Sequence, residues 1–240
     1  MTPLPEPLTV PIEGGAVTSR IYPSTSGEPR AAVVLAHGAG ASQLHPFMTR
    51  CARALASRGL DVATFDFPYM ERMEQDRHAT GTSRRRPPDR APVLEACYRA
   101  VVSVVERDVS SAGRGLFIGG KSMGGRIATQ LAATDRDLRV DGLVLLGYPL
   151  HPPVNPARPR DAHLPTVGRP ALFIQGSRDV FGTPAELGPV LARMQPRPTL
   201  SVVEGGDHSF VVPGAGRQGH TIIETGIYET IARWILENSR

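Results

Sequence analysis

The stretch that decides the fold is Leu116-Phe117-Ile118-Gly119-Gly120-Lys121-Ser122-Met123-Gly124-Gly125-Arg126-Ile127. Leu116–Gly119 is a short apolar run that reads as a buried strand. Gly125–Ala133 has helical spacing, with Ile127 and Leu131 one turn apart. Between them lies the pentapeptide Gly120-Lys121-Ser122-Met123-Gly124, a G-x-S-x-G pattern. A serine hydroxyl is a weak nucleophile unless it is exposed beside a base. A sharp strand-to-helix turn exposes it but crowds the backbone, and glycines two residues either side remove the side chains that would clash. The helix that follows points its free N–H groups and positive dipole end at any charge formed there.

Working outward, short apolar runs alternate with helical segments: strands over Ala31–Ala36, Leu60–Phe67, Leu143–Gly147, Ala171–Gln175 and Leu200–Val203, and helices over Pro46–Arg58, Val93–Val105 and Ile222–Leu236. Strands that are apolar throughout, rather than alternating, indicate a parallel sheet covered on both faces. The expected fold class is therefore α/β: one doubly wound domain over residues 1–240. Residues 1–30 would contribute N-terminal edge strands, with a hairpin over Leu8–Tyr22. Residues 69–92, polar, arginine-rich and proline-containing, read as a loop excursion.

A serine nucleophile needs a base and a group that orients the base. Asp179 follows the run Ala171–Gln175, and His208 follows Leu200–Val203, in Gly205-Gly206-Asp207-His208-Ser209-Phe210. Both stand beyond the C-terminal ends of strands, where the loops of an α/β sheet gather around a site. Asp179 has a competing reading as the cap of a helix over Pro184–Met194, and His208 as an ordinary loop histidine. His37-Gly38-Ala39-Gly40-Ala41, directly after a strand, is a glycine-rich turn that can aim an N–H at an oxyanion. Ala39 is the favoured donor, ahead of Gly38 and Gly40, and the Met123 N–H is the second. His37 itself reads as a structural hydrogen-bonding residue. Gly38, Gly40, Tyr69 and His151 are candidates to line the pocket, although His151 also reads as a packed loop residue.

Gly115-Leu116-Phe117-Ile118-Gly119-Gly120-Lys121-Ser122 also matches the nucleotide-binding pattern G-x-x-x-x-G-K-S. In that motif the strand precedes the first glycine and the four variable residues form the phosphate cradle. Here the strand fills those four positions, so nucleotide hydrolysis is not expected.

The 27 basic and 23 acidic residues leave a net charge of +4, and Lys121 is the single lysine. The densest basic run, Arg84-Arg85-Arg86, has no interleaved aromatics on which bases would stack, so no nucleic-acid partner is expected. Cys51 and Cys97 are the two cysteines and form no Cys-x-x-Cys pair. Reduced, buried thiols fit a cytoplasmic protein. There is no signal-peptide pattern and no apolar run of about 18 residues, so no membrane association is expected. No metal-ligand spacing occurs, and no cofactor is called for. Oligomeric state has no signature.

His37–Ala41, Phe65-Asp66-Phe67-Pro68-Tyr69, Gly119–Gly125, Gly147-Tyr148-Pro149-Leu150-His151-Pro152-Pro153 and Gly205–Phe210 together resemble the α/β-hydrolase superfamily, over a span from about residue 31 to the C-terminus. More narrowly, they resemble a branch of small bacterial hydrolases similar to dienelactone hydrolase, with eukaryotic testis-expressed and NSL-complex-subunit relatives. The resemblance implies the fold and the triad Ser122, Asp179 and His208, and no particular substrate. Ser122 stands where dienelactone hydrolase proper has cysteine, which argues against that substrate. The elbow aspartate of haloalkane dehalogenases and epoxide hydrolases is lacking. The expected activity is hydrolysis of a small-molecule carboxylic ester or thioester through an acyl-serine. A scaffold protein retaining the fold, and acyl transfer or perhydrolysis on the same triad, are the alternatives. Without a helical cap after Leu143–Gly147, the expected site is shallow and rather open, favouring small or medium acyl groups.

Overall fold

The computed structural model describes residues 3–82, 86–111 and 113–239; Arg84 and Arg85 of the basic run lie outside them. Eight strands form one sheet: β1 (Pro7–Ile12), β2 (Gly15–Tyr22), β3 (Ala31–Ala36), β4 (Leu60–Phe65), β5 (Gly115–Lys121), β6 (Gly142–Leu146), β7 (Ala171–Gly176) and β8 (Thr199–Val203). Their order is β1-β2-β4-β3-β5-β6-β7-β8. β1 and β2 form the antiparallel hairpin at one edge, β2 joins β4 antiparallel, and every pairing from β4 to β8 is parallel.

The continuous apolar runs follow from cover on both faces. In β3, Ala32, Val34 and Ala36 pack into one core. Ala31, Val33 and Leu35 pack into the other. Helices α1 (Pro46–Ala56) and α6 (Gly216–Asn238) cover the second face through Phe47, Leu55, Ile231 and Ile235. Helices α3 (Ala91–Ser111), α4 (Met123–Thr134) and α5 (Pro184–Leu191) cover the first through Tyr98, Ile127 and Leu187.

Residues 68–80 depart from the loop expectation: Pro68–Thr80 is a helix, α2. Only its first turn is buried, at Pro68, Tyr69 and Met70, so it carries no apolar period to read. Its Glu, Met, Gln and Arg residues favour helix intrinsically. Pro68 opens it, Gly81 ends it in the left-handed conformation (φ 72°), and an Arg77–Glu74 ion pair at 3.2 Å supports its last turns. Beyond it, Arg86 returns to pair with Asp76 at 2.8 Å.

The sheet order also locates the site. β3 has β4 on one side and β5 on the other, so the chain reverses direction across the sheet at β3. Loops leaving β3 and β5 diverge there and open a crevice at the C-terminal ends of the strands.

Candidate active site

The turn after β5 is the strained bend that its glycines predict. Ser122 has φ 52° and ψ −115°, a conformation unusual for a residue with a side chain. It is held there by its own N–H, which donates to the Leu146 carbonyl at 2.9 Å, and by its carbonyl, which accepts from the Arg126 N–H at 3.1 Å. The elbow rests against the end of β3. A Cβ on Gly120 would lie 2.2 Å from the Ala36 carbonyl oxygen, and one on Gly124 would lie 2.4 Å from it. Neither contact is tolerable, which is the physical content of the two glycines.

Asp179 leaves the end of β7 in a tight turn, and its side chain is fully buried. One oxygen accepts from the Phe181 N–H at 2.8 Å; the other accepts from Gln175 Nε2 at 2.8 Å. Gln175 is itself fully enclosed, donating also to the Gly182 carbonyl and accepting from the Tyr148 N–H. Asp179 does not cap α5; Thr183 does, in a reciprocal capping box with Glu186.

His208 follows β8 in a loop shaped by Asp207, whose Oδ1 accepts from the N–H groups of Ser209 and Val211 at 2.8 and 2.9 Å. The β7 and β8 loops touch at Gly176, where a Cβ would fall 2.4 Å from the Gly206 and Asp207 carbonyl oxygens. His208 Nδ1 is 2.8 Å from Asp179 Oδ2, and its Nε2 is 2.9 Å from Ser122 Oγ. With Asp179 ionised, Nδ1 carries the hydrogen and Nε2 is left as the acceptor facing the serine. The Phe181 ring lies on the imidazole, 4.3 Å between centroids, and limits its rotation.

Lys121, Gln175 and Phe181 were not foreseen in these roles. The Lys121 ammonium donates to the His208 backbone carbonyl at 2.6 Å and lies 5.2 Å from the centre of the Phe210 ring. Burial pushes it down to about 8, with Asp179 and Asp207 opposing that shift. Gly147 leaves room for it: a Cβ there would meet Nζ at 2.8 Å. For Gln175 a signal existed, since a polar side chain ended an otherwise apolar run. The other two depend on loops from different strands meeting, which no spacing encodes.

On the β3 side, the Gly38 carbonyl accepts from His37 Nδ1 at 2.7 Å and the Ala39 carbonyl from the Tyr69 hydroxyl at 3.0 Å. In a trans peptide the Ala39 N–H points opposite to the Gly38 carbonyl. The Met123 N–H stands at the first position of α4, ahead of that helix's own ladder. The Ser122 cavity has a volume of about 1460 Å³ and opens to solvent, with α1, α6 and the loop before α3 building its walls. Gly38, Ala39 and Gly40 line it. Tyr69 and His151, expected in the lining, do not. Tyr69 is fully buried beneath the β3 loop. His151 has its Nδ1 3.1 Å from the Pro152 carbonyl and its Nε2 3.3 Å from Glu186.

Comparison with known proteins agrees with this fold. The α/β-hydrolase domain family matches residues 29–235. The chain belongs to that family. Among solved structures, it is similar to a dienelactone hydrolase from Anabaena variabilis, with a TM-score of 0.74, 22 % identity, and coverage of 99 % of this chain and 100 % of that one. It is also similar to an α/β serine hydrolase without a lid from Xanthomonas campestris (TM-score 0.68, 18 % identity, 98 % and 96 % covered). The esterase Est1E from Butyrivibrio proteoclasticus, solved with ferulic acid bound, is a third (TM-score 0.70, 13 % identity, 96 % and 98 % covered). At these identities the three likenesses establish the α/β-hydrolase fold. Among the described residues, no helix is long and apolar enough to cross a membrane.

Proposed function

We propose that this α/β-hydrolase is a serine esterase or thioesterase with Ser122 as nucleophile, His208 as general base and acid, and Asp179 as the group that orients the imidazole. One observation carries the reading: the carboxylate, imidazole and hydroxyl form a single relay, with links of 2.8 and 2.9 Å. Ser122 Oγ adds to the acyl carbon while its proton passes to His208 Nε2, and Asp179 stabilises the imidazolium. The N–H groups of Ala39 and Met123 receive the oxyanion. Collapse breaks the bond to the leaving oxygen or sulfur, which takes the proton from Nε2. Water then repeats the sequence on the acyl-serine and frees the acid. Losing one oxyanion donor typically raises such a barrier by about 2.7–4 kcal/mol.

The strained Ser122 backbone supports an enzyme rather than a scaffold. Holding a serine at φ 52° is unfavourable by about 1–3 kcal/mol, and glycine would remove that strain. Kinship with the testis-expressed and NSL-subunit relatives, and a cytoplasmic setting suggested by two buried free thiols, belong to the same proposal.

A fluorophosphonate probe and a p-nitrophenyl ester series of rising chain length test it. Wild type is expected to be labelled and to turn over esters, and Ser122→Ala to lose both. Folded wild-type protein that neither labels nor hydrolyses any ester refutes the proposal. Product analysis with an alcohol or peroxide present separates hydrolysis from transfer.

A further inference from the structure

Arg50, Arg53, Arg58, Arg126, Arg160 and Arg217 all line the Ser122 cavity, but they are not equivalent. Arg50 is clamped to Glu224 by bonds of 2.7 and 2.8 Å. Arg58 lies 3.6 Å from Glu229, and Arg53 donates to the Pro3 carbonyl at 3.0 Å. Arg217 is exposed to water. Arg126 and Arg160 are both half-buried, and among the described residues neither guanidinium has a carboxylate within ion-pair distance or a hydrogen-bond acceptor. Arg126 Nε is fully enclosed with no partner.

The neighbouring acids do not fill the gap. Asp161, next to Arg160 in sequence, is bound to Arg193. Asp89, on the cavity wall, holds Arg72 at 2.5 Å. Glu95 acts on Arg126 only from beyond ion-pair distance. Burial first, and then the charge of Arg160, disfavour the ionised form of Arg126. Two like charges lining one cavity, neither with a counter-charge, are unfavourable unless something of opposite charge joins them. Ser122 is the residue before α4 and Arg126 the fourth residue of that helix, about one turn, or roughly 6 Å, further along.

We propose that Arg126 and Arg160 form a subsite for an oxyanion group of the substrate, a carboxylate or phosphate set about one helical turn from the acyl carbon. The planar guanidinium fork matches either group in two-point fashion. The inference rests on the esterase reading and gives it a substrate class: esters or thioesters that carry a negative charge.

The test compares the p-nitrophenyl monoester of glutaric acid with the neutral p-nitrophenyl pentanoate. Wild type is expected to prefer the charged ester. Arg126→Gln and Arg160→Gln should each lower kcat/KM for it by about 10- to 100-fold, the size of a lost charge-assisted bond, and should lower pentanoate turnover much less. Glutarate and inorganic phosphate, tried as competitive inhibitors of pentanoate hydrolysis, distinguish the two anions, and whichever inhibits should do so more weakly in both variants. Equal loss on both esters, or a wild type without preference, overturns the subsite and leaves the esterase standing. Failure of both esters together with failure of fluorophosphonate labelling removes the esterase, and the subsite with it.

Discussion

Two His–Asp pairs stand at the C-terminal edge of this sheet, built from the same chemical groups and wired differently. His37 Nε2 lies 3.5 Å from Asp66, behind β3; His208 Nδ1 lies 2.8 Å from Asp179, between β7 and β8. In the first pair both ring nitrogens are occupied by the fold. Nδ1 faces the Gly38 carbonyl at 2.7 Å, and Nε2 accepts from the Phe67 N–H at 3.1 Å. Asp66 is likewise engaged, by the backbone and side-chain N–H groups of Gln43. In the second pair the carboxylate takes Nδ1 and leaves Nε2 facing a hydroxyl. The His208 side chain is 21 % exposed, where His37 is sealed at 0 %. Residue type therefore does not make a base. An imidazole serves as one when one nitrogen is anchored and the other is left for a reactant.

The sharpest way to break that comparison is to remove each imidazole in turn. His208→Gln is expected to lower ester turnover at least about ten-thousandfold with little change in folding, as loss of a triad member does elsewhere. His37→Gln should label normally with a fluorophosphonate in its folded fraction. Kinetics beside urea unfolding would read both. If His37→Gln stays folded and loses labelling as His208→Gln does, the two pairs are not distinct in role.

Stability supplies the next contrast. His37→Ala leaves the buried Phe67 N–H without an acceptor and removes the ring from its contacts with Phe67 and Tyr69, at centroid distances of 5.1 and 6.0 Å. An orphaned donor and a residual void together predict a loss of about 2–4 kcal/mol in urea unfolding. His208→Ala, on a partly exposed ring, should cost under about 1 kcal/mol.

Lys121 sharpens the comparison from the other side, because it anchors His208, the proposed base, through its backbone. Lys121→Met removes the 2.6 Å bond to the His208 carbonyl and keeps an apolar stem over Phe210. A displacement of the imidazole by a fraction of an ångström is expected to lower kcat by about 10- to 100-fold with KM little changed. An unaltered kcat would mean that Asp179 and the Phe181 ring hold the imidazole without help.

How much of this the chain announces depends on which force does the specifying. The elbow was legible because steric exclusion dictates residue type: Gly120 and Gly124 are pressed against one carbonyl oxygen of β3, and only glycine fits. The sheet was legible because cover on two faces demands unbroken apolar runs. Helix α2 was not, because intrinsic propensity and ion pairs hold it rather than a buried stripe. The Arg126–Arg160 juxtaposition was invisible for a related reason. It joins α4 to the β6–β7 connection, and an arginine looks the same in sequence whether a carboxylate meets it or not.

The smallest expected effect concerns pH, where the sealed pair conceals its own titration. Burial pushes His37 down to about 4 from an ordinary 6.5. A depressed base contributes stability that is full above about 6.5 and lost as pH falls towards about 4, because the unfolded chain binds the proton first. Burial pushes Asp66 up to about 6 from 3.8. A raised acid contributes stability that is full below about 3.8 and lost as pH rises through about 6. Between those limits the two slopes oppose each other, so the pair adds little net pH dependence. Asp66→Asn removes one slope and exposes the other, which His163, also held near 4 by burial and Arg126, reinforces. The variant should therefore lose stability more steeply than wild type between pH 6.5 and 4, by an additional amount on the order of 2 kcal/mol. The readout is the slope of urea stability against pH, since Asn also alters the bonds to Gln43 and shifts the baseline at every pH. Parallel slopes in the two proteins would show that His37 and Asp66 do not titrate against each other, and that the sealed pair is inert for some reason other than opposed burial.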